Sequence, residues 1–160
     1  MNRTKLMVLC VILLSCLPAL YMSAQVADAL AQYETECLGV EGDGSQTLRA
    51  WGFGKNKKDA LAQARKNAVY DVIFKGIRTG MAGCNTRPLV NEVNARERHE
   101  DYFDKFFVDG GEYMKYVSDA DEKRSSKDKS KNKLGVRYGV TVRVLRSDLR
   151  AKLKADGLIQ

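Results

Sequence analysis

The sequence predicts an α+β domain in which an antiparallel sheet of about four strands carries two to three helices on one face. Three observations support this class: a hairpin signal in the first third of the chain, a long helical stripe directly after it, and strict alternation of apolar and polar residues near the carboxyl end. The predicted order is β-β-α-α-β-β-α, without the repeating strand–helix–strand units of an α/β fold.

The first two strands form the hairpin. Residues 33–42, "YETECLGVEG", favour a strand, "DGS" at 43–45 is a tight-turn signal, and "QTLRAWGFG" at 46–54 is the partner strand. The small residues Ala50 and Gly52 lie on one face of this partner, because side chains alternate along a strand. A helix is therefore expected to lie close against that face.

Residues 57–76 are the strongest helix signal in the chain. Asn56 is placed to cap the helix by accepting from its free amides, and Asp59 favours the first turn electrostatically. Apolar residues at helical spacing predict one thin stripe that packs on the sheet. The stripe consists of Ala60, Leu61, Ala64, Ala68, Val72 and Ile73.

The middle of the chain is less regular. Residues 77–93 contain "GMAGCNTRP" and predict a long irregular segment, and residues 94–107 predict a second helix that ends in aromatic residues. A third strand is expected at 113–119. The segment 121–133, "DEKRSSKDKSKNK", has no apolar residue and predicts a mobile basic loop.

The last strand and a short helix complete the fold. "GVRYGVTVRVL" at 135–145 alternates without a break, with Arg137, Thr141 and Arg143 on the polar face. We expect this strand to be half buried. Ser147 is expected to cap the closing helix.

The amino terminus predicts export. A basic start, an apolar core ending near Pro18 and a small-residue exit are typical of a secretory signal peptide over residues 1–24, followed by a single domain at 25–160. Two alternatives stay open: "LLSC" resembles a lipoprotein box that would leave a lipid on Cys16, and the apolar core could be retained as an anchor. In the first two cases the sequence predicts that the mature chain leaves the cytoplasm, with a lipid anchor if Cys16 is modified.

Cysteine usage fits an exported protein. Of the four cysteines, Cys10 and Cys16 fall in the leader, which leaves Cys37 and Cys84. Two cysteines in an oxidising compartment most often pair, and such a bond stabilises a fold by ~3–4 kcal/mol. The alternative is two buried free thiols. No C-x-x-C spacing is present, so neither a redox motif nor a zinc site is indicated.

The net charge of the chain and the glycines at 51–60 are only weak evidence for a binding site. The chain carries a formal charge of +7, and removing Arg3 and Lys5 with the leader leaves 25 basic and 20 acidic side chains. Such a surface favours anionic partners without identifying one. "WGFGKNKKDA" at 51–60 lacks the hydroxyl residue of a phosphate loop and the third glycine of a dinucleotide motif. We interpret it as the corner between strand and helix.

The same region resembles a known family. In residues 48–77 a strand ending A-x-G leads into a helix patterned N-x-x-x-A-x-x-x-A-x-x-x-A. This block resembles the core of small bacterial cell-envelope lipoproteins and of the N-terminal domain of flagellar assembly protein T, and the strand at 139–144 is similar to the family's closing strand. Together with the predicted export, the resemblance implies an α+β domain of a bacterial cell envelope, periplasmic or associated with the outer membrane. It also implies a role in assembly or scaffolding without catalysis, and it assigns no functional residue. The matching positions are Ala50, Gly52, Asn56, Ala60, Ala64 and Ala68.

Catalytic chemistry has little support in the sequence. The single histidine, His99, lies among charged residues with no nucleophile motif beside it. Glu97 and Asp101 are four residues apart on the predicted second helix, and this pair supports an alternative, an envelope hydrolase. The favoured prediction is a non-catalytic binding or assembly module without cofactor or metal.

Two candidate binding surfaces follow from the sequence. Phe103 and Phe107 belong to an aromatic cluster that one core stripe cannot hold, so either is a candidate for an exposed patch that binds another envelope protein or a second copy. The basic loop is a candidate for contact with anionic membrane or glycan. Export argues against nucleic acid as the partner. The loop residues concerned are Lys123, Arg124, Lys127, Lys129, Lys131 and Lys133.

Overall fold

The structure of the protein is a computed structural model, which describes residues 33–120, 129–132 and 134–160. Thr35–Gln160 form one compact unit. The predicted leader, Cys16 included, lies outside the described residues. Within the described ranges, no helix has the length and apolar character needed to cross a membrane.

A mostly antiparallel sheet confirms the predicted α+β class. Its strand order is β3-β1-β2-β6-β4, and β5 also pairs with β6. The pairing of β1 with β3 is parallel, and the other pairs are antiparallel. The described residues thus form six strands, two more than expected. They are β1 Glu36–Val40, β2 Gln46–Gly54, β3 Thr79–Gly80, β4 Val117–Asp119, β5 Lys129–Asn132 and β6 Gly135–Val144.

Four α-helices in the described part of the chain accompany the sheet. They are α1 Lys57–Tyr70, α2 Ala95–Arg98, α3 Glu100–Phe106 and α4 Arg146–Ala155. The helix predicted over 57–76 changes at its end into a π-helical turn, Asp71–Lys75, and the helix predicted over 94–107 is divided at His99 into α2 and α3. A 3₁₀ turn, Glu112–Tyr116, precedes β4.

The corner between β2 and α1 forms as the sequence predicts. The Asp59 amide donates to Asn56 Oδ1 at 3.1 Å, which caps the helix. Ala60 and Ala64 are fully buried, and Gly52 lies directly beneath them. A Cβ added to Gly52 would lie 2.1 Å from the Ala60 carbonyl oxygen and 2.3 Å from the Ala64 amide nitrogen. The missing side chain therefore sets how closely α1 approaches the sheet.

The core lies between the helices and one face of the sheet. Leu48 and Ala50 of β2 face α1, and they are joined there by Val142 and Val144 of β6. The later helices contribute to the same cluster through Phe103, Phe106, Leu149 and Leu153. This arrangement agrees with the predicted placement of helices on one face of the sheet.

The irregular segment 77–93 is tied to the core by main-chain bonds. The amides of Leu89 and Val90 donate to the carbonyl oxygens of Val72 and Ile73 at 3.0 and 2.9 Å. These carbonyls lie in the π-helical turn, where the end of the helix leaves acceptors without intrahelical donors. The segment therefore completes the carboxyl end of the long helix.

A disulfide and two buried side chains hold the same segment. Cys37 and Cys84 are joined across 47 residues of sequence, as predicted. Buried Gln46 donates through Nε2 to the Asn85 carbonyl oxygen at 3.3 Å, and Arg146, which is 8% exposed, donates through Nη2 to the Arg87 carbonyl oxygen at 2.7 Å. Together these contacts fix residues 84–87 against β1, the start of β2 and the start of α4.

Three predictions about the second half of the chain are wrong in part. The strand expected at 113–119 covers only β4, because Tyr113 is buried while Met114 and the following lysine are exposed, which is not strand alternation. The basic loop 121–133 contains β5, which forms by main-chain pairing with β6 although its side chains are polar. Ser147 does not cap α4; its hydroxyl donates to the Asp43 carbonyl oxygen at 3.3 Å.

Candidate functional site

The face of the sheet opposite α1 carries charged and aromatic side chains. The even-numbered residues of β2 from Gln46 to Gly52 are buried, so its odd-numbered residues point to the other side. We call this surface the outer face and define it by Arg49, Trp51 and Phe53 of β2 with Arg137 and Arg143 of β6.

Strand register brings these side chains into one band. Phe53 lies opposite Arg137, Trp51 opposite Gly139 and Arg49 opposite Thr141. The next pair on the same face is Thr47 with Arg143. Because residues paired across antiparallel strands share a face, rings and guanidinium groups lie side by side.

Side chains of the outer face remain accessible. Phe53 is 43% exposed, and the side chains of Arg49 and Arg143 are 41% and 42% exposed. Trp51 is half-buried and faces Gly139, a position without a side chain that leaves room for the indole ring. The outer face is therefore in contact with solvent at Phe53, Arg49 and Arg143, whereas Thr141 on the same face is buried.

Two glutamates partly neutralise the arginines of the outer face. Arg49 Nη1 is 3.7 Å from Glu36 Oε2, and Arg143 Nη2 is 3.4 Å from Glu41 Oε1. The Thr47 hydroxyl also donates to Glu41 Oε1, at 3.1 Å. Ion pairs this exposed are typically worth about 0–1 kcal/mol, so each contributes little to the stability of the fold.

The outer face was only half visible in the sequence. Alternation in residues 135–145 correctly placed Arg137, Thr141 and Arg143 on one side of the strand, although Thr141 is buried there. The same alternation in "RAWGF" puts Trp51 and Phe53 on the matching side of β2, but alternation within each strand does not show that the two strands pair.

The aromatic cluster is mainly a core feature, which corrects one predicted surface residue. Phe103 is fully buried and cannot contribute to an exposed patch, whereas Phe107 is half-buried. The Phe107 ring packs with its centroid 5.0 Å from that of Phe106 and 5.9 Å from that of Tyr113. Only part of its ring is therefore open to a partner.

A polar network closes one side of this cluster. The Tyr102 hydroxyl donates to Asp156 Oδ2 at 2.5 Å, and Lys152 Nζ lies 2.9 Å from the same oxygen. The Tyr102 hydrogen bond, followed by Lys152, lowers the pKa of Asp156, while burial and then Asp156 raise the pKa of Tyr102. The charged form of Asp156 is thereby favoured in the folded state.

Replacing Tyr102 with phenylalanine is expected to raise the pKa of Asp156 toward its ordinary value, because the main donor to the carboxylate is lost. A depressed folded-state pKa stabilises the fold above the unfolded pKa of about 3.9, and this stability is lost as the pH falls through the folded value. The variant should therefore differ from the original protein above pH ~4 and converge with it in more acidic solution. Carboxyl titration by NMR tests this, with Tyr70→Phe as a control that leaves Asp156 unchanged.

The predicted basic loop is described only in part. Lys129 and Lys131 are exposed on β5 and lie opposite Tyr138 and Val136, so they point to the helix side of the sheet and not to the outer face. Lys57 is on the same side, with Nζ 5.7 Å from the Tyr138 ring centroid. The remaining loop residues fall outside the described ranges. They are Lys123, Arg124, Lys127 and Lys133.

The carboxylates of the hydrolase alternative are not presented on one continuous helix. Glu97 lies in α2 and Asp101 in α3, on either side of the break at His99, and both are exposed. His99 Nε2 is 4.0 Å from Glu92 Oε2. No group of three or more His, Cys, Asp or Glu residues in the described part of the chain is arranged to hold a metal ion.

Comparisons with known proteins add no relative. No family model matches the chain, and neither the curated proteins nor the solved structures provide a significant match. The resemblance to envelope lipoproteins and to flagellar assembly protein T therefore stays an expectation.

Proposed function

We propose that this chain is an exported, non-catalytic module of a bacterial cell envelope that binds its partner through the outer face. The observation that carries the proposal is the grouping of three arginines with Trp51 and Phe53 on the side of the sheet away from α1. Trp and Arg are the residue types most enriched where binding energy concentrates.

Export is supported by two independent features. Residues 1–24 have the organisation of a secretory leader, and the disulfide between Cys37 and Cys84 belongs to a class of bond that persists outside the cytoplasm. The resemblance of residues 48–77 to envelope proteins points to the same compartment. Lipid attachment at Cys16 is a separate proposal, which mass analysis of the mature amino terminus tests.

Binding is favoured over a purely solvated sheet face. A solvated face would need only polar side chains, and the pairs that Arg49 and Arg143 form with glutamates would fit it. Phe53 does not fit a solvated face, because its large apolar side chain is 43% exposed and forms no hydrogen bonds with water. Covering this ring with a partner would remove apolar surface from water.

Photo-cross-linking in intact cells tests the proposed surface. Benzoylphenylalanine replaces Phe53 in one variant and Met114, which is 49% exposed in the 3₁₀ turn, in a control. We expect one dominant adduct from position 53 and none of the same mass from position 114. Identical adducts from both positions, or none from position 53, would contradict binding through the outer face.

A second candidate function uses β5 instead. Lys129 and Lys131 are exposed on a strand at the edge of the sheet, where they would contact an anionic surface from the helix side. Changing Lys127, Lys129 and Lys131 to glutamate abolishes envelope attachment if this candidate is right. If the outer face is the binding surface, the same variant stays attached.

A further inference from the structure

We infer that a cleft beside α4 binds an aliphatic carboxylate, whose alkyl chain contacts the apolar wall of the cleft and whose carboxylate contacts Arg150. The cleft shares no residue with the outer face, so this binding site is separate from the proposed function. The inference follows from the lining of the cleft, from the charges around it and from the main-chain groups of its wall.

The cleft has the size and lining of a small-molecule site. Its volume is about 420 Å³, within the range of about 300–1,000 Å³ that is usual for such sites. One wall comes from the end of the irregular segment 77–93, and the other comes from α4 and the residues that follow it. Two lining residues, Glu92 and Arg150, are charged, and four are apolar. The apolar residues are Leu89, Val90, Leu158 and Ile159.

Arg150 is open to a ligand carboxylate. Its side chain is exposed, and the ion pairs of the described residues include no partner for it. Glu92, which lines the same cleft, is already paired with Arg98 Nη1 and lies 4.0 Å from His99 Nε2. The negative charge of Glu92 is thus offset within the chain, whereas the positive charge of Arg150 favours an anion in the cleft.

A second arginine adds to the positive charge beside the cleft. Arg146 precedes Arg150 by one helical turn, so the two residues are neighbours on one face of α4. Arg146 is 8% exposed and donates through Nη2 to the Arg87 carbonyl oxygen, while its Nη1 is buried without a hydrogen-bond partner among the described residues. Burial lowers the pKa of Arg146, and the charge of Arg150 lowers it further. An anion bound at Arg150 would reduce this repulsion between the two guanidinium groups.

The main chain of the cleft wall favours an alkyl chain over a peptide. Peptides that bind in extended form are commonly held by main-chain hydrogen bonds. The amides of Leu89 and Val90 already donate to carbonyl oxygens of the π-helical turn, and the Leu158 amide donates to the Leu153 carbonyl oxygen at 2.9 Å. These three amides are therefore not free for a ligand, and the wall presents apolar side chains. An alkyl chain has no polar groups that need hydrogen bonds, so it fits this wall.

Methyl NMR titration of the purified protein, with its disulfide formed, tests the inference. The ligand is octanoate; octanol keeps the alkyl chain without the charge, and acetate keeps the charge without the chain. We expect saturable shifts of the methyl signals of the four apolar lining residues. Octanoate should bind at least about tenfold tighter than octanol or acetate, since its contact with Arg150 is charge-assisted. An acetylated tripeptide that ends in leucine should bind more weakly than octanoate.

Matched variants locate the carboxylate. Arg150→Gln should weaken octanoate binding by at least about tenfold and leave octanol binding unchanged, because only the charged contact is lost. The control is Lys154→Gln, one turn further along α4, which removes the same charge from an exposed side chain that does not line the cleft. It should leave both affinities unchanged. Ile159→Ala should weaken octanoate and octanol to a similar extent, since both alkyl chains contact this side chain.

Several results would overturn the inference. They are equal affinity for octanoate and octanol, tighter binding of the tripeptide, shifts confined to other parts of the protein, no saturable shift, or equal effects of Arg150→Gln and Lys154→Gln. None of these results bears on the outer face, which cross-linking from position 53 tests separately.

Discussion

Replacing Gly52 with alanine is expected to prevent the native packing of α1 and to destabilise the protein by about 4 kcal/mol or more, among the largest effects that single substitutions produce. The new Cβ would lie 2.1 Å from the Ala60 carbonyl oxygen and 2.3 Å from the Ala64 amide nitrogen. Both are backbone atoms of the helix, so no side-chain rotation relieves the contact. Moving α1 away would open gaps around Leu48 and Ala50, which are fully buried beneath it.

Urea unfolding followed by circular dichroism measures this effect. Gly39→Ala in β1 is the matched control, because a Cβ at Gly39 meets no atom within 4 Å. We expect the control to change the free energy of unfolding by no more than about 0.5 kcal/mol, as for ordinary surface positions. A Gly52→Ala variant with the unfolding midpoint of the original protein would show that α1 does not pack on β2 at this distance.

Removing the disulfide is expected to have the second large effect. For a sequence separation of 47 residues, loop-closure entropy predicts a loss of about 4 kcal/mol when Cys37 and Cys84 are both changed to serine. Cys37 is fully buried, so the serine hydroxyl placed there must also find a hydrogen-bond partner. The double variant should unfold at lower urea concentration than the oxidised protein.

Limited proteolysis shows where the stability is lost. We expect new cleavage within residues 77–93, since the bond holds this segment to β1, while α1 stays protected. Adding reductant should destabilise the original protein and leave the double serine variant unchanged. Equal unfolding midpoints for the oxidised protein and the serine variant would contradict a stabilising role for the bond.

Elements with strong local signals were predicted closely. β2 has the bounds expected from "QTLRAWGFG", and α1 follows the predicted cap at Asn56 because cap, stripe and strand end all lie within one short stretch. The π-helical turn had no such signal. It depends on the bonds that Leu89 and Val90 make to its carbonyls, and these residues are more than fifteen positions away in sequence.

β5 is a strand that the pattern of apolar and polar residues could not predict. Its residues "KSKN" carry no apolar side chain, so alternation could not reveal a strand there. The strand forms because its backbone pairs with β6, whose alternating residues are easily recognised. Main-chain pairing therefore extends the sheet into a stretch whose composition predicts a loop.

Only the part of the candidate site that lies within one strand could be predicted from the sequence. Outward placement of Arg137 and Arg143 follows from alternation within one strand. Their position beside Trp51 and Phe53 depends on the pairing of two distant strands, in which Arg137 lies opposite Phe53, 84 residues earlier in the sequence. The error at Phe103 has another cause. The four aromatic residues of the cluster all lie in α3 or at its end, and helical spacing within the cluster does not show which of these rings the rest of the fold covers; Phe103 is the one that is fully buried.

Co-sedimentation of the protein with washed envelopes of the cells that produce it tests the central claim most directly. The variant with Arg49, Arg137 and Arg143 changed to glutamine is compared with the control that carries glutamine at Lys58, Lys75 and Lys154, and both must first show the unfolding midpoint of the original protein. If the outer face is the binding surface, the arginine variant stays in the supernatant while the lysine control sediments like the original protein. Equal sedimentation of the two variants would contradict the account.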